Sequence, residues 1–245
     1  KILNVVKKNF DLSNLLELTV EAGRPDSITK EKLIALKTSG VNRISVNPQT
    51  MQQKTLDLIG RKHTTEDIYN SFRLAREAGF TNINMDFIIG LNGETLSDIK
   101  DSFIKVKKLA PESITIHSLA LKRAAGLNTE NKRELVDNEL VLSMTAVATN
   151  TCNELGLKPY YLYRQKNMAG NLENIGFSKP DKECLYNILI MEEKQTIIAC
   201  GAGTSSKIVF GDGRIERIET VKDPKLYIER LDEMIMRKES MHGID

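Results

Sequence analysis

Cysteine is scarce in this sequence, with three residues in 245, at positions 152, 184 and 200. Long stretches separate them, so they form none of the closely spaced motifs that hold zinc or iron–sulfur clusters. A small, odd set of cysteines is typical of reduced thiols in the cytosol. We therefore expect a cytoplasmic protein.

Long apolar runs and an excess of charge of one sign are also lacking. No apolar run approaches ~18 residues, and no stretch has the pattern of a signal peptide, so neither a membrane span nor a membrane partner is predicted. The formal net charge of +2 is too small to indicate nucleic-acid binding. The length, with 40% hydrophobic and 28% charged residues, suits one large domain or one domain with an appendage.

Several common nucleotide-binding and catalytic motifs are absent. Gly201 and Gly203 follow a predicted strand, but they lack the GxGxxG spacing and a following helix, so they predict a close-packed turn. No GxxxxGK[ST] or GxSxG motif occurs. His63, His117 and His242 are too dispersed to indicate a zinc site. We expect His63 to be solvated in a loop, whereas His117 fits a structural or a functional role equally.

The sequence does contain a regular alternation of strand and helix patterns up to about Gly126. The segments SGVNRISV and AGFTNINM share one design and mark an internal repeat of one β-α unit. Such alternation predicts an α/β fold with a parallel sheet. The predicted strands are 15–23, 41–47, 81–89 and 113–121, and the predicted helices are 29–39, 50–59, 65–78, 97–109 and 132–155.

Each predicted strand has one polar and one apolar face, which is unusual for parallel strands covered on both sides. Either one face of the sheet lies in water, or the sheet curls so that the polar faces line a concave interior. In the second case the chemistry lies at the carboxyl ends of the strands, at Glu21, Asn47 to Gln49, Asp86 and His117. The polar faces consist of Glu17, Thr19 and Glu21; Arg43, Ser45 and Asn47; Asn82, Asn84 and Asp86; and Ser113, Thr115 and His117.

The pattern changes after Gly156, so we divide the chain into a β/α region, residues 1–157, and a small C-terminal α+β region, residues 158–245. Residues 158–177 are polar and aromatic without a helix period, which indicates a loop. Its tyrosines and its basic residues Arg164 and Lys166 fit a site for a planar anionic ligand or an edge strand with solvated charges. A hairpin turning at residues 211–213 and a terminal helix over about 224–237 follow.

Two stretches, ELTVEAGRPDSITKEKLIALKTSGVNRISVNPQTMQQKTLDLIGRKHT and INMDFIIGL, resemble the radical SAM enzymes related to oxygen-independent coproporphyrinogen III oxidase. PYYLYRQKNMAGNLENIGF is similar to the HemZ-type coproporphyrinogen dehydrogenase branch. The resemblance implies a partial (β/α)6 TIM-like barrel that holds S-adenosylmethionine and a 4Fe-4S cluster. The implied reaction is radical decarboxylation of coproporphyrinogen III propionates to vinyl groups, in porphyrin and haem biosynthesis.

The resemblance also implies site residues for S-adenosylmethionine. Glu21 suits the ribose hydroxyls, Gln49 and Asp86 match residues after the next two strands, and Arg61 suits the methionine carboxylate. Ala120 matches a backbone contact after the last strand. For the substrate propionates we expect the basic residues Lys122, Arg123, Arg164 and Lys166. A flavodoxin or ferredoxin is the implied electron donor.

The sequence departs from the family in lacking its C-x-x-x-C-x-x-C motif and its glycine-rich loop. With a start at Lys1, this predicts a C-terminal fragment that lacks the first two β/α units, binds no cluster and is itself inactive. Lys122 to Ala125 also stand where many relatives have Glu-Pro-Gly-Thr. Family members that carry haem make a haem-binding chaperone the alternative function.

Overall fold

The computed structural model describes residues 1–119, 138–163 and 173–239. The chain divides into two compact units, Lys1–Cys184 and Leu185–Asp245. The division that we predict after residue 157 remains a prediction. In the described residues, no helix combines the length and apolar character needed to cross a membrane.

Within its described residues, the first unit contains a six-stranded sheet in the order β1-β2-β3-β4-β6-β5. Strands β1 to β4 run parallel, and β6 and β5 continue the sheet antiparallel. The predicted α/β class and the four predicted parallel strands are confirmed. The strands are β1 (Thr19–Gly23), β2 (Arg43–Val46), β3 (Ile83–Ile89), β4 (Ser113–Ser118), β5 (Lys158–Tyr163) and β6 (Asn174–Ser178).

The helices of this unit lie close to the predicted bounds. Thr29, Thr64 and Thr95 act as N-caps, and the last two form capping boxes with Asp67 and Asp98 that satisfy backbone N–H groups of the first turns. Helix α1 has no counterpart among the predicted elements, and the predicted start of α6 lies outside the described residues. The helices are α1 (Ile2–Asn9), α2 (Lys30–Thr38), α3 (Gln53–Leu58), α4 (Thr65–Glu77), α5 (Leu96–Leu109) and α6 (Asn138–Glu154).

Both faces of the central strands are buried. Apolar side chains of β2, β3 and β4 join those of the helices in one core cluster. On the opposite face, Arg43, Ser45, Asn84, Ser113 and Thr115 are at most 4% exposed. The alternative with one face in water is therefore wrong, because these polar side chains are enclosed and hydrogen-bond to one another.

Residues 158–177 do not form the predicted loop along their described length, since both ends are strands. β5 is the edge strand and β6 lies between it and β4, so the predicted edge strand is present, while the basic residues Arg164 and Lys166 lie outside the described residues. The sequence hides this pairing because the partner, β4, is distant in the chain. Gly176 of β6 makes it possible: an added Cβ would lie only 1.9 Å from Cε1 of Tyr161 on β5.

The second unit contains helix α7 (Leu185–Glu192) and the predicted hairpin, formed by β7 (Ser205–Val209) and β8 (Ile215–Glu219). Gly201 and Gly203 lie in a turn with positive φ angles, as predicted. In place of the strand predicted before this turn, the described residues form an isolated β-bridge between Ile197 and Lys207. The predicted terminal helix is broken at Arg230 into α8 (Pro224–Glu229) and α9 (Leu231–Glu239).

Candidate functional site

The carboxyl ends of the parallel strands bring polar residues to one edge of the sheet. Glu21 of β1 pairs in register with Ser45 of β2, whose hydroxyl donates to Glu21 Oε2. The Asn47 amide donates to the same oxygen at 3.4 Å. Glu21 Oε1 has no hydrogen bond within the described ranges, so Glu21 can still accept one from a ligand hydroxyl.

Gln49 is held against β3 by its own backbone. Its N–H donates to Asp86 O at 3.0 Å, and its carbonyl accepts from Ile88 N at 2.9 Å. Its φ of 71° is uncommon for a residue with a Cβ and costs of order 1 kcal/mol or more. The turn after Pro48 thus places Gln49 beside Asp86, where its side chain helps to line a cavity.

Asp86 is a half-buried carboxyl with polar neighbours on its own strand and on β4. Asn84 Nδ2 donates to Asp86 Oδ1 at 2.7 Å, and His117 Nε2 lies 4.0 Å from Oδ2. Burial raises the pKa of Asp86; the positive charge that His117 can carry opposes this, and the charge of Glu21 adds to it. A ligand ammonium or hydroxyl near Asp86 would favour its ionised form.

The cavity at this edge has a volume of about 360 Å³ and takes side chains from both parts of the sheet. That size suits one small organic ligand. Asp86 and His117 supply titratable groups from the parallel strands, and Tyr163 and Asn174 come from β5 and β6. The full lining is Gln49, Asp86, Ile88, His117, Ser118, Leu119, Tyr163 and Asn174.

The antiparallel strands add an aromatic wall from the tyrosines that the sequence offered for a planar ligand, on strands that the sequence did not place. Tyr161 and Tyr163 stack with ring centroids 6.3 Å apart and planes 6° apart. Burial raises the pKa of Tyr161, so its hydroxyl stays protonated at neutral pH. Asn174 Oδ1 accepts from Ser118 N at 3.0 Å and fixes β6 at the end of β4. The signal for this wall was Gly176, since a strand glycine often marks a close approach.

His63 is buried and not solvated, so that prediction is wrong. Its side chain is 0% exposed, and its Nε2 lies 3.3 Å from the carbonyl oxygen of Pro48. Burial lowers the pKa of His63 by more than the hydrogen bond to Pro48 raises it, and the charge of Arg61 lowers the pKa further. The imidazole is therefore neutral at pH 7 and donates from Nε2. The loop between α3 and α4 packs inward here, which its polar sequence did not indicate.

Arg61 lies in the same loop, two residues before His63. In the described part of the chain, no hydrogen bond or ion pair joins its guanidinium to Glu21, Gln49 or Asp86. The structure thus brings Glu21, Gln49, Asp86 and His117 together and leaves Arg61 on a neighbouring loop. Ala120, Lys122, Arg123, Arg164 and Lys166 lie outside the described residues.

The two predicted cofactors differ in how they fit these residues. At the described positions, no group of three or more His, Cys, Asp or Glu side chains is placed to hold a metal. Cys152 is buried in α6, where burial raises the pKa of its thiol to about 12, so it is a poor cluster ligand. The three cysteines do not fit a 4Fe-4S cluster. The acceptors and donors at the strand ends do fit S-adenosylmethionine, with its hydroxyls, ammonium and carboxylate.

Comparisons with known proteins agree with the resemblance seen in the sequence. Residues 5–105 match the family model of the Radical SAM superfamily. The oxygen-independent coproporphyrinogen-III oxidase-like protein HemZ of Bacillus subtilis is 48% identical over 230 residues, covering 93% of this chain and 46% of HemZ. The haem chaperone HemW of the same organism is 31% identical over 224 residues, covering 90% of this chain and 54% of HemW.

Among solved structures, Escherichia coli coproporphyrinogen III oxidase (HemN), described as a radical SAM enzyme, has a TM-score of 0.73 to this chain. The identity is 20%, and the match covers 95% of this chain and 52% of that one. This likeness concerns the fold, which the two share. The chain spans about half the length of the curated relatives named here.

Proposed function

The chain belongs to the radical SAM family of oxygen-independent coproporphyrinogen III oxidase-like proteins, and on that premise we propose that it forms the S-adenosylmethionine- and substrate-binding part of a porphyrinogen decarboxylase. The observation that carries the proposal is the meeting of Glu21, Gln49 and Asp86 at the carboxyl edge of the sheet, beside a cavity of about 360 Å³. Barrel folds of this type place their chemistry at that edge.

Each site residue has a binding task in this proposal. The free oxygen of Glu21 accepts from the ribose hydroxyls, and Asp86 accepts from the ligand ammonium. The Gln49 amide orients the ligand between them. Arg61 reaches the carboxylate end as a bidentate donor. Bound at these residues and reduced by one electron from a centre that they do not supply, S-adenosylmethionine would provide the group that abstracts hydrogen. The cysteines of this chain do not fit the cluster, so no step is derived through it.

The proposed substrate is coproporphyrinogen III, two of whose propionates become vinyl groups. In that conversion each propionate would lose one hydrogen atom, one carbon dioxide and one electron, and the electron would pass to a one-electron acceptor such as an oxidised iron–sulfur or flavin protein. Lys122, Arg123, Arg164 and Lys166 are the proposed partners of the propionate carboxylates, and a flavodoxin or ferredoxin is the proposed electron donor. The stacked tyrosines form one wall of the cavity and would lie against the apolar part of the tetrapyrrole.

The test is an anaerobic assay of the full-length protein with coproporphyrinogen III, S-adenosylmethionine and a reductant. We expect decarboxylated porphyrinogen and one 5′-deoxyadenosine for each carbon dioxide. Asp86→Asn should reduce the rate of decarboxylation at least tenfold, since it removes the negative charge that accepts from the ligand ammonium. Asp212→Asn, at the exposed hairpin turn of the second unit, is the matched control and should leave the rate unchanged. Intact protein that gives no decarboxylated product would contradict the proposal.

The second candidate is a haem chaperone, which the similarity to HemW favours. The sequence has no histidine-rich tract, which ranks this function second, and His117, which lines the cavity, is the proposed iron ligand. Haem titration followed at the Soret band distinguishes the two functions. Stoichiometric haem binding that is lost in His117→Ala, without porphyrinogen turnover, would favour the chaperone.

A further inference from the structure

The proposed S-adenosylmethionine site draws on two separate loops. Gln49 lies in the turn after β2, and Arg61 lies in the loop after α3. A ligand held by both needs the two loops at a fixed separation. Gln49 is tied to β3 through its backbone, but those bonds do not reach the Arg61 loop.

His63 makes the missing connection. It lies two residues after Arg61, and its Nε2 donates to the Pro48 carbonyl at 3.3 Å. That carbonyl belongs to the peptide that joins Pro48 to Gln49. The imidazole is 0% exposed, and its Nδ1 is buried with no partner in the described parts of the chain. Among the described residues, the hydrogen bond of the imidazole therefore goes to the turn that carries Gln49.

The turn needs such a contact because of its backbone conformation. With a φ of 71°, Gln49 occupies a region that a residue with a Cβ leaves readily. The Gln49 N–H donates to Asp86 O and holds one side of the Pro48–Gln49 peptide, and the bond from His63 to the Pro48 carbonyl holds the other side. Without the bond from His63, the peptide is anchored to β3 alone and loses its tie to the loop that carries Arg61.

We infer that His63 is a positioning residue, which holds the Gln49 turn and the Arg61 loop in the arrangement that binds S-adenosylmethionine. The inference rests on the proposed function, because it assumes that this ligand binds here. His63 acts as a neutral donor. The charged groups that act on it are Arg61, Asp26 and Asp67. Asp26 and Asp67 favour its protonation, but burial outweighs them.

The test compares His63→Gln with His63→Met in the full-length protein. The two side chains are alike in length, both remove the ring, and only glutamine can donate to the Pro48 carbonyl. Calorimetric titration with S-adenosylmethionine should give roughly tenfold weaker binding for His63→Met, the equivalent of one hydrogen bond, and wild-type affinity within about threefold for His63→Gln.

The matched control is Glu112→Gln. Glu112 is also buried, and its carboxylate accepts from Ile83 N at 3.1 Å and from Arg76, at the amino ends of β3 and β4. This substitution should lower the melting temperature of the protein without weakening its binding of S-adenosylmethionine. If the His63→Met variant fails to fold, His63→Asn takes its place. The asparagine amide is too short to reach the Pro48 carbonyl, so this variant should bind S-adenosylmethionine as weakly as we expect for His63→Met.

Each outcome is decisive. If the wild-type protein does not bind S-adenosylmethionine, the proposed function fails. If it binds, but the Gln and Met variants are weakened equally or not at all, the inference about His63 is wrong. A double-mutant cycle adds a second measurement: in a Gln49→Ala background, His63→Met should weaken binding by clearly less than tenfold, because the part of its effect that passes through Gln49 is gone. Full additivity would contradict the inference.

Discussion

Gly176→Ala is expected to destabilise the first unit by overpacking. Gly176 lies in β6 between Thr115 of β4 and Tyr161 of β5. A Cβ at this position would lie 1.9 Å from Cε1 and 2.4 Å from Cδ1 of Tyr161, and 2.9 Å from Cε1 of Tyr160. Carbon atoms pack best at about 3.5–4.0 Å, so the Tyr161 ring must move by roughly 1.5 Å or more.

Two opposing terms set the size of the effect. Overpacking in a well-packed region costs about 1–3 kcal/mol. Replacing glycine by alanine where the backbone is unstrained gains about 0.4–1 kcal/mol, because the unfolded chain loses freedom. Gly176 has no positive φ, so this gain applies. We expect a net loss of about 1–2 kcal/mol in the free energy of unfolding.

Urea unfolding followed by far-ultraviolet circular dichroism measures this loss. The control is Gly211→Ala, since Gly211 also has an unstrained φ and an added Cβ there meets nothing within 4 Å; it should be neutral or slightly stabilising. In a Tyr161→Ala background, Gly176→Ala should also no longer lower the free energy of unfolding, because the Tyr161 ring with which the new Cβ clashes is gone. An equal loss in both backgrounds, or none in the wild type, would refute the reasoning.

Three further predictions concern buried or capping groups. Glu94 is 5% exposed with Oε2 unpaired among the described residues, and burial raises its pKa; unfolding therefore releases a proton, and stability should fall as pH rises from 4.5 through the raised pKa. Glu94→Gln should remove this slope in melting temperatures between pH 4.5 and 8. His63 has a pKa lowered from 6.5, so its contribution is complete above pH 6.5 and is lost as pH falls below it; His63→Gln should flatten stability between pH 6.5 and 4.5 in urea titrations. Asp98 caps α5 and pairs with Lys54 at 2.9 Å, and its pKa is lowered to about 2; Asp98→Ala should cost about 1 kcal/mol at pH 7, and a loss under 0.3 kcal/mol would contradict the capping role.

The parallel part of the fold and half of the site followed from sequence patterns. Helix caps such as Thr64 and Thr95 are local signals, and the helices they start are where the patterns predict them. Glu21, Gln49 and Asp86 came from strand alternation together with a family resemblance. Their closeness follows because parallel strands end at one edge of a sheet.

The sequence offered the tyrosines of residues 158–177 for a ligand site but could not place them. Tyr163 and Asn174 line the cavity only because β6 pairs antiparallel with β4 and carries β5 with it. His63 looked solvated because its neighbours Arg61, Lys62 and Thr64 are polar. Its burial depends on the Pro48 carbonyl, fifteen residues away.

By itself, the sequence determined the α/β class, the four parallel strands and the polar face that carries the site, because side-chain periodicity and capping act over a few residues. Only the tertiary structure decided that this face is enclosed, that an antiparallel pair supplies an aromatic wall, and that His63 is buried against the Pro48 carbonyl. These features depend on contacts between segments far apart in the chain, and no local pattern records which segments meet.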